Sequence, residues 1–520
     1  MKRALGIAMA LAALVACGGR SSAPAPMPPL AGVGVRSPVG DAKSPELPEP
    51  PVIHAVNGVA RVALVAAQNS LTGQPTFDYE NQNDVIPTIE LAPGDTMVFD
   101  VTNNLPSEPP PRQMTMDDGM NPDTGLQEDI NLHFHGLGTS PRRPSDDVLT
   151  MLAKPGESLH YVVHVPANQE PGLYWYHPHV HGETNFQVGE SGMSGAIVVD
   201  GIERHIPALG RMKQRVILVR ATGVGGDVRS AGSNKTPCST RDGLTTSLNG
   251  VVRPVIPIAP GEKQFFRLVN ATGHRTLKLK VDGEQLELVA IDGFALDSYP
   301  GTPPTEKLPY LIVPPASRAE FVVTGPANGR ARFRTMCYDT GPNGDPDPPV
   351  LLANLRAPAG GARVAPAPPL TVAAPLPRNV YNTALPPPST KRIVIFSESG
   401  KPRFFINGRS FKMSDKPMFV VHVGTTEEWT VENVTQEIHD FHIHQTHFVV
   451  ESIDGVKVAH PIWADSYVIP HRRVVNGKTV PGSLVLLMDF RDPVIRGEFL
   501  FHCHILDHED QGMMAKIEAI

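Results

Sequence analysis

The sequence predicts an all-β protein made of three consecutive, similar β-sandwich domains. Three observations carry this. One pattern recurs three times, over Gly94 to Asn103, Gly261 to Asn270 and Gly424 to Asn433. Each copy has an aromatic residue five positions after the Gly (Phe99, Phe266, Trp429), an aliphatic one seven after it (Val101, Leu268, Val431) and Asn nine after it. Positions five and seven share one face of a strand, and the Asn turns the chain out of it. The Gly residues stand 167 and 163 positions apart, a spacing of whole domains. Second, alternating apolar runs such as Arg215 to Arg220 and Lys391 to Phe396 have the period of half-buried strands. Third, hardly any stretch shows the periodicity of a capped helix, and 54 Pro and 46 Gly mark a chain that turns often.

Residues 1–17 read as a targeting segment. Lys2 and Arg3 precede an apolar stretch from Ala4 to Ala16, too short to span a bilayer. It ends in Leu14-Val15-Ala16-Cys17, similar to a bacterial lipobox, in which the Cys becomes lipidated and N-terminal. Residues 18–51, rich in Gly, Ser, Ala and Pro, read as an extended tether. The expectation is an exported protein, periplasmic or at the cell surface, that touches a membrane only through lipid on Cys17. The first domain then occupies 52–203 and the second 204–356. A Pro-rich run over 357–388 reads as a long linker, and the third domain occupies 389–520. A net charge of −7 with 19% charged residues argues against nucleic acid as a partner. Four Cys are too few for a disulfide scaffold, but an exported protein permits a bond between Cys238 and Cys337, both in the second domain.

The chain has 20 His, and eight of them form four His-x-His pairs: His133 and His135, His177 and His179, His442 and His444, His502 and His504. In a strand, residues two apart point to the same face, so each pair offers two imidazoles side by side. Two pairs fall in the first domain and two in the third. Gly172 to His179 parallels Gly497 to His504, with Pro178 in the place of Cys503. Counting from Asn270, the positions that match His439, His442 and His444 hold Thr276, Leu279 and Val281. The middle domain therefore reads as a spacer or wall without metal ligands. Eight imidazoles exceed what one tetrahedral zinc uses. They suit several ions that favour imidazole, with copper and zinc leading. Cys503 decides for copper. Its thiolate points to the strand face opposite His502 and His504, where His508 follows five residues later and Met513 ten later, with His439 from an earlier strand. Two His, one Cys and a distant Met make up the blue-copper electron-transfer set.

The strings HFHG (133–136), YHPH (176–179), HDFHIH (439–444) and HCHILDHEDQGMM (502–514) resemble the four copper motifs of three-domain, laccase-like multicopper oxidases. The resemblance runs from about residue 52 to the C-terminus. It implies three cupredoxin-like Greek-key β-sandwich or barrel domains holding about four copper ions. Type 1 copper would lie on His439, Cys503 and His508 with Met513 axial, and type 2 copper on His133 and His442. The type 3 pair would lie on His135, His177, His179, His444, His502 and His504. It further implies a monomer whose partners are dioxygen and a small reducing substrate. An exposed type 1 site would take one electron at a time, and Cys503 would lead through the backbone to His502 and His504. Protons for dioxygen reduction are expected from Glu509 and Asp146, with Asp147 as the competing choice, and Glu509 is expected to exchange protons near working pH. Asp465 in Trp463-Ala-Asp465 looks like an acid that supports the ligands from behind or closes a strand.

This sequence departs from the family pattern at two places. Asp440 stands where the family usually has Pro, which bears on the loop geometry and the type 1 potential. His181 makes the second motif HPHVH, so His179 with His181 competes with His177 and His179; register with His502 and His504 favours the latter. Met114, Met116 and Met120, set among acids before the first motif, form either a solvated loop or a soft-ligand site for Cu(I). For substrate, a phenol or similar aromatic reductant stands first. Cu(I) or Fe(II) is the alternative, and the long Met-rich insert of bacterial cuprous oxidases is not seen between Val456 and Phe501. A copper-free scaffold would need missing ligands, and none is missing.

Overall fold

The computed structural model describes residues 44–520 apart from 83, 108–127, 224–237, 239–242, 361–363, 365–368, 375–380, 382, 384 and 400–403. Cys17 and the Met114–Met120 insertion lie outside the described residues. In each domain the repeated segment becomes a central strand of one sheet. Thr96–Asn103 runs parallel to Val59–Gln68 and antiparallel to Ser158–His164. Lys263–Asn270 lies in the same way between Lys213–Thr222 and Arg318–Thr324, and Thr425–Asn433 between Thr390–Glu398 and Gly482–Phe490. The marker side chains enter three separate cores: Phe99 and Val101 in the first, Phe266 and Leu268 in the second, Trp429 and Val431 in the third.

The repeated Asn pins the turn that follows. The Asn270 amide donates to Arg275 O (2.8 Å) and Val313 O (2.9 Å) while its oxygen accepts from Thr272. Asn103 and Asn433 do the same at Ala153 O (2.9 Å) and Glu437 O (2.7 Å). All three amides are fully buried, where each satisfied bond contributes about 1 kcal/mol net and an orphaned group costs more.

A second sheet in each domain packs over the first. In the first domain its order is Val52–His54, Thr88–Leu91, Gly195–Val199, Gly172–His177, His133–His135. In the third it is Phe419–Val421, Met514–Ala519, Gly497–Cys503, His439–Ile443, Ser466–Ile469. The His-bearing strands thus sit side by side at or near one edge of each sheet. Leu173, Trp175, Val188 and Val198 of the first domain share one apolar cluster with Leu218, Val269 and Ala316 of the second and Leu506 of the third. Among the described residues no helix is long and apolar enough to cross a membrane.

Two segments expected to be extended connections are packed instead. Residues 44–51 do not belong to the tether: Leu47 is buried in the second domain's core, its N–H donates to Val255 O (2.9 Å), and Glu49 pairs with Arg215 at 2.7 Å. The described part of 357–388 clings to the domains it joins. Leu370 is buried among Ile202, Ile206 and Phe265, and Tyr381 wedges between Phe294 of the second domain and Val449 and Trp463 of the third. In both places a few apolar side chains within a Pro-rich run find a core to enter, which composition alone does not register. Cys238 and Cys337 are joined in a disulfide, leaving Cys503 as the free thiol among the described residues.

Candidate metal centres

His439–Ile443 pairs antiparallel with Gly497–Cys503, placing Phe441 opposite Cys503 and His442 opposite His502. Strand alternation then separates two sets of ligands. Phe441, Ile443 and Cys503 enter the third domain's apolar core, and His442, His502 and His504 face the first domain's imidazoles.

On the inner side, Cys503 Sγ lies 3.7 Å from His439 Nδ1 and 3.7 Å from His508 Nδ1, and the two nitrogens are 3.0 Å apart. His439 Nε2 lies 3.1 Å from the Thr435 hydroxyl, and that hydroxyl is itself held by the repeat's Asn433. Met513 is fully buried in the same apolar cluster as Cys503, and its carbonyl accepts from Cys503 N–H (3.0 Å). The Asp440 N–H points at Cys503 Sγ from 3.4 Å. Burial pushes the Cys503 thiol well up, against the pull of main-chain N–H groups from Asp440 and Ile505. The exposed site implied by the resemblance is not what forms. His508 is only 3% exposed, because Phe404 stacks on its ring at 4.1 Å. Beside it, the Glu437 carboxylate stands 3.8 Å from His508 Nε2.

On the outer side, all eight paired His meet in one buried cluster. His133 stacks on His444 with ring centroids 3.8 Å apart, and His135 stacks on His442 at 4.0 Å. His502 Nε2 stands 3.3 Å from His179 Nε2 and 3.1 Å from His444 Nε2. The far nitrogen of most rings is tied down. His133 Nδ1 is 3.0 Å from Asp146, His135 Nε2 3.2 Å from Asp465 Oδ1, and His177 Nδ1 2.8 Å from Pro178 O. His442 Nδ1 lies 2.8 Å from Asp465 O, and His502 Nδ1 3.0 Å from Cys503 O. That leaves His133 Nε2, His135 Nδ1, His177 Nε2, His442 Nε2, His444 Nδ1 and both nitrogens of His504 buried without a hydrogen-bond partner. Orphaned buried nitrogens are costly unless an ion takes their lone pairs. Burial first, and neighbouring imidazoles second, hold His135, His177, His442 and His444 well below the usual range, and burial with His502 does so for His504. Burial brings His439 to about 3, and His179 falls to about 3 although Glu509 opposes it. Neutral rings with free lone pairs fit a soft-to-borderline cation such as copper.

The structure brings His177 and His179 into the cluster and sends His181 elsewhere, its ring meeting Phe411 edge-on at 4.8 Å. Asp146 lies at the site, where it also accepts from Gln445 Nε2 (2.6 Å) and Phe134 N. Asp147 instead caps its own turn through the Leu149 and Thr150 N–H groups. Glu509 is buried 3.2 Å from His502 Nδ1 and 3.4 Å from His179 Nε2. Burial alone would raise its pKa, but those two rings outweigh it and hold the carboxyl below its usual range.

Sequence reasoning missed Gln445, Glu437, Asp292 and Arg318. Only Glu437 carried a signal, its place two residues before His439. Asp292 and Arg318 come from the middle domain, which is more than a spacer: both are fully buried, and Arg318 pairs with Asp465 at 2.6 Å.

Residues 120–204 and 384–519 match family models described as multicopper oxidase. A multicopper oxidase of Staphylococcus aureus is 27% identical over 449 residues, covering 84% of this chain and 83% of its own. A laccase of Bacillus subtilis is 24% identical over 483 residues, covering 83% and 88%. Among solved structures, a multicopper oxidase from Campylobacter jejuni, described as a metallo-oxidase, superposes with a TM-score of 0.68 at 23% identity, over 92% of this chain and 95% of that one.

Proposed function

As a member of the multicopper oxidase family, this chain of cupredoxin-fold domains is a copper-dependent oxidoreductase, and we propose that it couples oxidation of a small aromatic reductant to reduction of dioxygen to water. The observation that carries this is the pairing of two separate ligand sets on opposite faces of one strand. His439, Cys503 and His508 with Met513 hold a type 1 copper. His133 and His442 hold type 2, and His135, His177, His179, His444, His502 and His504 hold the type 3 pair. Bound copper supplies one-electron transfer at the first set and dioxygen chemistry at the second.

The chain's own residues do the rest. Cys503 is joined by its backbone to His502 and His504, so one short stretch of chain serves both sites. Asp146 fixes the His133 ring and, with Glu509, lies where protons must arrive. The phenolic reading is supported by the match to laccases such as that of Bacillus subtilis. Glu437, 3.8 Å from His508 Nε2, favours a second reading in which a cationic reductant such as Fe(II) docks there. We also place the protein outside the cytoplasm, anchored through Cys17 and acting as a monomer; the Cys238–Cys337 disulfide supports an oxidising compartment.

The test is oxygen consumption by fully copper-loaded protein with a phenol, Fe(II) and Cu(I), in wild type and Glu437→Gln. A phenol oxidase keeps its phenol rate in the variant. Loss of a dominant Fe(II) rate selects the second reading, and no oxygen uptake with any reductant refutes both.

A further inference from the structure

Arg318 opens the second domain's strand Arg318–Thr324 and is completely buried. Its guanidinium grips the Asp465 carboxylate with both arms, Nη1 to Oδ1 at 2.8 Å and Nη2 to Oδ2 at 2.6 Å. Its Nε–H donates to Leu173 O of the first domain (3.2 Å). One side chain therefore bonds all three domains. Behind it stands Asp292, whose Oδ1 accepts from Arg318 N–H (2.8 Å) and Ser317 Oγ–H (2.8 Å), and whose Oδ2 accepts from Asp465 N–H (3.2 Å).

Asp465 is the point of delivery. Its Oδ1 accepts from His135 Nε2–H, and its main-chain carbonyl accepts from His442 Nδ1–H. These are one imidazole from each ligand-bearing domain, and their rings stack with an interplanar angle of 15°. The clamp leaves His135 Nδ1 and His442 Nε2 as the buried nitrogens without partners. It also explains the last letter of HFHG. Gly136 has φ +84°, and a Cβ there would collide with the Arg318 guanidinium and the Asp465 carboxylate. A bidentate Arg–carboxylate pair fixes a plane as well as a distance, which a point charge cannot do.

We infer that Arg318, from the domain without metal ligands, is a positioning residue of the trinuclear copper site: through Asp465 it sets the ring planes of His135 and His442. The inference rests on the cluster reading proposed above. It is tested on the copper-loaded full chain with Arg318→Lys, which keeps the charge and loses the fork. Copper per chain, the blue absorption of the Cys503 site and the electron paramagnetic resonance signal of type 2 copper are measured together. The expected result is an unchanged blue band per chain, loss of at least one of the cluster coppers and an altered type 2 signal. Cluster copper and type 2 signal identical to wild type would overturn the inference. So would equal loss at both centres, since that is what general destabilisation produces. If Arg318→Lys does not fold, Asp292→Asn decides in its place, because it replaces the Oδ2 acceptor of the Asp465 N–H with a donor and so disturbs the seat of the carboxylate that the Arg318 fork grips. A selective change in the type 2 signal supports positioning, and an unchanged signal overturns it. A wild type that holds blue copper but no cluster copper would instead sink the cluster reading, and this inference with it.

Discussion

Replacing Asp440 with Pro removes one of the two main-chain N–H groups that stabilise the Cys503 sulfur. The Asp440 N–H is spent on Sγ and not on a ladder bond, so Pro costs the sheet no hydrogen bond there. A thiolate bound to reduced copper retains more negative charge than one bound to oxidised copper. The N–H dipole therefore favours the reduced state and raises the potential. Hydrogen bonds to charged groups contribute about 1.5–3 kcal/mol, and at 3.4 Å to sulfur the low end applies. If about 1 kcal/mol of that differs between oxidation states, the one-electron potential moves by roughly 45 mV. Asp440→Pro should thus lower the type 1 midpoint by about that amount, read by spectroelectrochemical titration of the blue band. Asp440→Asn is the control. Burial, reinforced by Asp292 and Asp465, pushes the Asp440 carboxyl well up toward its neutral form, so Asn preserves both shape and N–H. An unchanged or higher potential in the Pro variant, or an equal drop in the Asn variant, would refute the reasoning.

Met513→Leu should raise the same potential, since a weak thioether donor stabilises the oxidised ion more than the reduced one; no rise in the titration would point to Met514 as the axial residue. Glu509→Gln should leave bleaching of the blue band by substrate normal and slow its recovery in dioxygen, and stopped-flow traces with the opposite pattern would reject the proton role. His205 lies 2.9 Å from Asp297 Oδ1 and 2.6 Å from Ala374 O. Burial opposes its charge, but these two acceptors outweigh burial and raise its pKa. Its contribution to stability is full below about pH 6.5 and fades as pH rises through the raised value. His205→Gln should flatten that slope in thermal melts, and an unchanged slope would show that this contact does not matter.

What the sequence disclosed depends on how locally each residue acts. The repeated Asn was legible because its side chain bonds within its own turn, as Asn270 does to Arg275 O. The His pairs were legible because strand alternation fixes their faces whatever surrounds them. Asp465 was legible only as an acid behind the ligands, and its partner Arg318 was not, since their bond joins residues 147 positions apart in different domains. The packing of Leu47, Leu370 and Tyr381 was hidden for a related reason. Composition describes a segment's average, and a single apolar side chain that finds a pocket overrides it. The cover over His508 was equally invisible, because Phe404 approaches from a neighbouring strand with no signature of its own.

Contacts such as His135 with Asp465 and His179 with His502 join positions 330 and 323 residues apart. Such long loops close late in folding, and domains tend to fold as units in order of synthesis. The first domain can therefore fold while offering only half of a cluster, four imidazoles without their partners. A cluster that captures metal on both sides exists only after the third domain has docked. Metal that binds this docked state and not its parts stabilises it by mass action, in proportion to the logarithm of free ion concentration. Copper would then act as a late clasp between the ends of the chain. The docked arrangement should become harder to unfold as copper is supplied, while a half-made chain has no complete site in which to do redox chemistry.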